Sequence, residues 1–155
     1  MSTVKTAQGS RTQLSGAAAA LNSLASATYV ALGTLTHNSS GKAPLDVLVE
    51  LSATPGTVAG NKQAVLFAQA SLDGTNFGTG PTSGTTTTDE PDLVLIGVLP
   101  LNTNATLQRK VFSLAAAFGG VLPFATKLIA KNDSGAALAS SGNDLYTMDI
   151  TGDVT

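Results

Sequence analysis

The sequence predicts an all-β fold, an antiparallel two-sheet sandwich that is jelly-roll-like and has an extended N-terminal arm. Three observations support this prediction. Apolar and polar residues alternate with a period of two in several segments, Gly, Pro, Asn and Asp interrupt the chain at short intervals, and no segment has the periodicity of a long amphipathic helix. Short strands joined by frequent turns are typical of sandwiches and jelly rolls.

The N-terminal segment differs from the rest of the chain. Residues 1–26 are small and polar and then Ala-rich, and they lack strand periodicity. We therefore divide the chain into an arm, residues 1–26, and one β-sandwich domain, residues 27–155. The arm is expected either to be extended or to end in a short helical turn around Gly16–Leu24. An arm of this composition is expected to be mobile in the free protein and to become ordered against a neighbouring subunit or a capsid shell.

Seven or eight short strands are predicted after the arm. The clearest, 45–51, places its odd-numbered apolar residues on one face and Asp46 and Glu50 on the other, which a helix would not do. The segment 63–72 is apolar on both faces and is therefore predicted to be a central strand. The remaining strands are predicted at 28–36, 92–99, 107–114, 125–131 and 145–151.

Turn-forming residues separate these strands. Asn38-Ser39-Ser40-Gly41 closes the first strand, and Asp73-Gly74 directly follows an apolar run, where Gly adopts a positive φ at little cost. Residues 78–91 are a low-complexity stretch of Gly, Thr, Ser and Pro that we expect to contribute nothing to a core. The segment 115–123 is expected to link two strands.

The composition argues against an enzyme. The chain has 155 residues with no Cys, no Trp, a single His and only 12% charged residues, so it has few groups for acid–base, nucleophilic or redox chemistry. Without Cys there is no disulfide framework and no thiolate metal site, as suits a reducing cytoplasm. A net charge of −2, five Phe and two Tyr give little basis for binding nucleic acid or an anionic membrane.

His37 is the candidate for a catalytic residue, and a cluster of three acidic residues is the candidate for a metal site. His37 ends a strand, where a turn or surface role is the usual one, and no G-x-S-x-G motif supports a catalytic triad. Asp89, Glu90 and Asp92 could offer oxygens to Ca²⁺, but they lack the spacing of a calcium loop, and acids beside a strand commonly protect its edge from aggregation. We therefore predict no catalytic residue, no cofactor and no metal.

The N-terminus and the hydropathy bear on where the protein acts. Ala25-Ser26-Ala27 fits a signal-peptide cleavage pattern, but the preceding apolar stretch is short and interrupted, so we read this segment as part of the mature protein. The sequence has no run of about 18 apolar residues, so it predicts no membrane span. The mean hydropathy of +0.22 is high for a freely soluble monomer, and the low charge gives weak repulsion between copies. Both observations indicate a partly covered surface and self-association as a dimer or trimer.

The segment Ser71–Phe77 is similar to the S-x-D-G-x-x-F/W hairpin of small β-sandwich proteins in tailed-bacteriophage particles, and also to a turn of discoidin-like carbohydrate-binding modules. At the level of pattern, the wider chain resembles small phage virion proteins of the capsid decoration or cementing type, and the likeness covers most of residues 27–151. The features that carry this resemblance are the polar arm, the segment 55–62, the Thr-rich loop that ends at Asp89-Glu90-Pro91, and the segment 99–104.

This resemblance implies a non-enzymatic jelly roll that binds the outer capsid lattice and stabilises it. The expected partners are the major capsid protein and other copies of this chain, in a virion assembled in the bacterial cytoplasm. A tail or head–tail connector component and a carbohydrate-binding module remain as alternatives, although sugar-binding platforms usually need Trp or more Tyr. The residues nominated for partner contact are Lys5, Arg11, Arg109 and Lys110.

Overall fold

A computed structural model of the chain describes residues 4–37 and 42–154. The described residues form ten strands, two short α-helices and one 3-10 turn. The strands are β1 (Val4–Gln8), β2 (Thr12–Gln13), β3 (Thr28–Thr36), β4 (Ala43–Ala53), β5 (Gln63–Ser71), β6 (Ser83–Gly84), β7 (Val94–Pro100), β8 (Gln108–Ser113), β9 (Ala125–Asp133) and β10 (Asp144–Val154). The helices are α1 (Ala17–Leu21) and α2 (Leu114–Ala117), and the 3-10 turn is Glu90–Asp92. The all-β prediction is confirmed.

The strands form two antiparallel sheets with jelly-roll connections. Sheet A has the order β1-β10-β4-β8, with β2 also paired to β10, and sheet B has the order β6-β3-β9-β5-β7. Without the two-residue strands β2 and β6, the eight remaining strands, numbered along the chain, lie in the orders 1-8-3-6 and 2-7-4-5. This is the strand order of a jelly roll, in which most successive strands lie in opposite sheets, and only strands 4 and 5, which are β5 and β7, pair directly with each other in sheet B.

The main core lies between the two sheets. On β4, Val47, Val49 and Leu51 point inward and are at most 4% exposed, as their alternation predicts. Leu45 does not follow them and is 42% exposed. The pairing of β4 with β10 shifts register at this point, so that Leu45 is the extra residue of a β-bulge and leaves the alternation.

The N-terminal segment is part of the sandwich, which corrects the division at residue 26. Of the two forms considered for this segment, the one with a short helical turn is observed, as α1, but residues 4–26 are not an arm outside the domain. Strand β1 pairs with β10 along its full length, and Ala17 and Leu21 of α1 are at most 1% exposed within the main core. These two residues are four apart and therefore share one helix face. Strand β1 lies at a sheet edge, where polar residues such as Lys5 are tolerated and strand periodicity is weak.

The low-complexity segment 78–91 runs over the outer face of sheet B, but none of its residues is buried, so the expectation that it contributes no core residue is confirmed. A second apolar cluster lies on this face. Its buried members are Tyr29 of β3, Val65 and Phe67 of β5, Ile129 of β9, and Leu93, which follows the segment. Gly80 permits the close approach, because a Cβ at that position would collide with the Leu93 side chain.

The Asp73-Gly74 turn is confirmed, and the side chain of Asp73 stabilises it. The Asp73 carboxylate accepts hydrogen bonds from the backbone N–H groups of Thr75 and Asn76, each at 2.8 Å, and Gly74 has a φ of 76°. These hydrogen bonds lower the pKa of Asp73, and the one from the Asn76 backbone has the largest effect. The turn predicted at 38–41 lies outside the described residues. Neither helix in the described ranges is long and apolar enough to cross a membrane.

Candidate partner-binding face

The outer surface of sheet A, here called the sheet A face, is the best candidate for a functional surface. Side chains from the three neighbouring strands β10, β4 and β8 project from it, because directly paired residues of a sheet point to the same side. The link between β1 and β2 places Arg11 across this surface. The residues that form it are Leu48, Glu50 and Ser52 of β4, Arg109 and Val111 of β8, and Tyr146 and Met148 of β10.

Arg11 is fixed at the centre of the sheet A face by two contacts. One guanidinium nitrogen, Nη2, lies 2.7 Å from Glu50 Oε1, and the guanidinium carbon lies 3.2 Å from the centre of the Tyr146 ring. The hydrogen bond to Glu50 is the largest cause of a raised pKa at Arg11. Exposed ion pairs contribute only about 0–1 kcal/mol to stability, so the main consequence of this arrangement is a fixed orientation of the side chains.

Two shallow depressions flank the Arg11–Glu50 pair, and they differ in chemistry. One has a volume of about 210 Å³ and polar walls that include Ser52, Arg109 and Asp144. The other has a volume of about 130 Å³ and is mostly apolar, with Val111 and Met148 among its walls. The pair of depressions can accept an apolar group and a polar or charged group of one partner side by side.

The structure brings two of the four nominated contact residues together. Arg11 and Arg109 line the same polar depression. Lys110 points to the other side of β8, where its Nζ donates a hydrogen bond of 3.0 Å to the backbone carbonyl of Val98 in sheet B. Lys5 lies on β1, at the opposite edge of sheet A, paired in register with Asp153. Sequence reasoning missed the role of Glu50, which is 39 residues away from Arg11 along the chain.

The acidic residues of the low-complexity segment hold that segment on sheet B. Glu90 Oε2 accepts hydrogen bonds from Lys131 Nζ, at 2.6 Å, and from the Tyr29 hydroxyl. Asp92 accepts one from the Thr79 hydroxyl at 2.7 Å. Within residues 4–37 and 42–154, no three His, Asp or Glu side chains are grouped so that they could hold a metal ion. Glu90 is therefore a structural group that seals the outer cluster of sheet B.

His37 is buried rather than exposed, which corrects the expectation of a turn or surface residue. It is 5% exposed, and its Nε2 lies 2.9 Å from the Thr126 hydroxyl. Burial lowers the pKa of His37, and the nearby Asp149 opposes this effect only in part. Thr126 has an exposed fraction of 0%, so its hydroxyl has no access to a substrate. This pair therefore acts as a satisfied hydrogen bond within the sandwich.

Comparisons with known proteins add no assignment to this geometry. No model of a protein family matches the chain, and no curated protein matches it significantly.

Proposed function

We propose that the protein is a non-enzymatic structural component of a tailed-bacteriophage virion, a decoration protein that binds the outer capsid lattice and stabilises it. In this proposal the sheet A face, or the edge of sheet A beside it, contacts the major capsid protein. The jelly-roll fold and the similarity of residues 27–151 to phage virion proteins support the class, although the hairpin at Asp73-Gly74 is the only motif-like part of that similarity.

One observation carries the proposal, namely the difference between the outer faces of the two sheets. The outer face of sheet B is sealed by the protein's own segment around Leu93. The sheet A face instead presents side chains such as Val111, which is 52% exposed, next to a fixed arginine. Interfaces between proteins are enriched in aromatic residues, Met and Arg relative to the rest of the surface, and the sheet A face has Tyr146, Met148 and Arg11.

Self-association as a dimer or trimer is part of the same proposal. The mean hydropathy is +0.22 and the net charge is −2, so repulsion between copies is weak. Several apolar side chains are exposed, among them Leu72 at 89% and Val121 at 74%. Light scattering of the purified protein is expected to give the mass of a dimer or trimer, and a strict monomer at all concentrations would contradict this part.

The carbohydrate-binding alternative receives less support from the geometry, and the tail or connector alternative is separated from the proposal by assembly behaviour. A sugar ring would need a free aromatic face, and one face of Tyr146 is occupied by Arg11. A tail or connector component should assemble into rings or tubes without other proteins, which negative-stain microscopy of the pure protein would reveal. Micromolar binding on a glycan array would favour the carbohydrate-binding alternative.

The direct test is to delete the gene from the source phage and restore the protein from outside. We expect mutant particles to assemble but to release DNA at a lower temperature, and purified protein to bind their heads in a fixed ratio to the capsid subunit and restore the release temperature. Mass spectrometry that finds no copies in purified wild-type particles would overturn the proposal. Copies found in separated tails and not in heads would overturn the capsid assignment.

A further inference from the structure

Strand β8 is an edge of sheet A, and its central residues are exposed. The sheet order pairs β8 with β4 only, from Gln108 to Ser113. Arg109, Lys110 and Val111 are all exposed in the middle of this strand. We infer that β8 is a docking strand, to which an extended acidic segment of a partner protein adds as a further strand of sheet A.

The backbone supplies the general part of this binding. In an antiparallel sheet, alternate residues of an edge strand direct their N–H and C=O groups away from the paired strand. An incoming extended segment can satisfy these groups by main-chain hydrogen bonds, which is the mode known as β-strand addition. Six residues of β8 pair with β4, and a strand of this length is about 20 Å long, enough to hold a segment of similar length.

The charge of β8 selects an acidic partner. Arg109 lies on the sheet A face and Lys110 on the opposite side, so a strand beside β8 meets a cation on each of its faces. Within the described residues, no carboxylate lies within 4.0 Å of either cation, whereas Arg11, Lys42 and Lys131 each have one. Arg109 therefore retains its capacity to pair with a carboxylate of a partner, and Lys110, which uses one N–H on the Val98 carbonyl, keeps its other two donors for the same purpose.

The alternation of side chains defines a pattern in the partner. Arg109 and Val111 are two residues apart on the same face, a spacing of about 7 Å along a strand. Arg109 lines the polar depression and Val111 lines the apolar one. A matching segment therefore carries an acidic residue and an apolar residue at positions i and i+2, which lie on one face of an extended chain.

The same charges argue against a second copy of this chain as the occupant. Two β8 strands side by side would bring Arg109 and Lys110 of each copy together, and like charges opposite one another destabilise a sheet. Lysine at a sheet edge also protects against self-aggregation, and this protective role is the alternative to a docking role. At the other edge of sheet A, Lys5 of β1 lies opposite Asp153, so this edge lacks a comparable excess of positive charge.

The test uses the full-length protein and a synthetic peptide. The probe is the blocked heptapeptide Ser-Glu-Thr-Val-Thr-Glu-Ser, titrated into ¹⁵N-labelled protein and followed by amide shifts in NMR. We expect the shifts to be concentrated on the amides of β8 and their β4 neighbours, with a Kd of about 1 mM or tighter. The same peptide with Lys in place of Glu is expected not to bind.

Two variants with the same change of charge show whether binding depends on β8. Arg109→Glu is expected to weaken binding of the Glu-containing peptide at least about tenfold. Lys62→Glu, at an exposed position outside β8, is expected to leave the Kd unchanged within about twofold. The inference would be overturned if the amide shifts fell outside β8 and its β4 neighbours, if the Lys-containing peptide bound equally well, or if β8 did not respond. The basic residues of β8 would then be assigned the role of protecting the sheet edge from aggregation. Arg109→Gln, with an unchanged spectrum outside β8, guards against a folding defect.

This inference deepens the proposed function, because an acidic segment of the shell protein would be the natural occupant of β8, and only the identity of that partner rests on the proposal. The two can fail separately. If the peptide binds β8 but purified wild-type particles contain no copies of the protein, the proposed function fails and the docking strand stands. If Arg109→Glu protein binds shells as well as wild type and the peptide does not bind, the docking strand fails and the proposed function stands.

Discussion

The outer faces of the two sheets carry the same three chemical groups in different surroundings. On sheet B, Lys131 lies 4.9 Å from the ring centre of Tyr29 and 2.6 Å from Glu90. On sheet A, Arg11 lies 3.2 Å from the ring centre of Tyr146 and 2.7 Å from Glu50. Each face therefore has a tyrosine, a cation on its ring and a glutamate that pairs with the cation.

The difference lies in what surrounds these groups. Tyr29 is 1% exposed, and it packs against Phe67 with ring centres 6.4 Å apart, beneath the segment that ends at Leu93. Tyr146 is only partly buried and borders two open depressions. The same interactions belong to a core on one face and to an accessible surface on the other. Whether a strand's outward residues enter a core thus depends on a segment that is distant in sequence.

The two tyrosines offer the largest contrast. Tyr29→Ala removes a buried ring and leaves a cavity, so we expect the free energy of unfolding to fall by about 3–5 kcal/mol. Tyr146→Ala, the matched control on sheet A, is expected to cost about 1 kcal/mol or less, because its ring already contacts solvent. Urea denaturation of both variants measures the difference. Equal losses of the free energy of unfolding would contradict the conclusion that the outer face of sheet B is covered and the sheet A face is exposed.

The N-terminal segment that carries Arg11 onto sheet A is expected to be anchored by Leu21. Leu21→Ala should lower the free energy of unfolding by about 2–5 kcal/mol, because this side chain is 1% exposed in the main core. Leu72→Ala, at a side chain that is 89% exposed, serves as the control and should change stability by about 0.5 kcal/mol or less. A Leu21 variant as stable as the control would restore the view of residues 4–26 as a separate arm.

The two glutamates give a smaller contrast of the same kind. Glu90→Gln weakens the acceptor for both Lys131 and the Tyr29 hydroxyl, so we expect a loss of about 1–2 kcal/mol. Glu50→Gln affects the partner Arg11, whose side chain is 48% exposed, and should cost about 0–1 kcal/mol. Thermal denaturation at two salt concentrations checks both values. A larger effect at Glu50 than at Glu90 would reverse the comparison.

Acidification is expected to destabilise the folded protein through His37, which is buried within the sandwich. Its pKa is lowered from 6.5 in the folded protein, so between that lowered pKa and about pH 6.5 the unfolded chain binds a proton that the folded chain does not. The free energy of unfolding should therefore fall as the pH decreases from 7 to 5. His37→Gln should remove most of this slope. An unchanged slope in the variant would show that other groups dominate this pH range.

The parts of the fold predicted from sequence are those with strong local periodicity. The bounds predicted for β3, Thr28–Thr36, match the structure, and Asp73-Gly74 forms its turn because the Asp73 carboxylate binds backbone groups only two and three residues away. Strand β1 was missed because an edge strand needs few apolar residues, and its partner β10 lies at the other end of the chain.

The candidate site was only partly predictable for a similar reason. Arg11 and Arg109 were nominated from their charge, but their shared depression depends on the pairing of β4 with β8 and β10. The cover on sheet B depends on the contact of Glu90 with Tyr29, which lies 61 residues earlier in the chain. Contacts between residues so distant leave no periodic signal in a single sequence.

Hydrogen–deuterium exchange of the protein, free and bound to capsid shells, the partner assigned by the proposed function, tests most directly which side of the molecule binds. Binding is expected to slow exchange in β8 and in the neighbouring strands of sheet A, and to leave the segment 78–93 over sheet B unchanged. Protection centred on residues 78–93, with β8 unaffected, would contradict the central claim that sheet A is the binding side of the molecule.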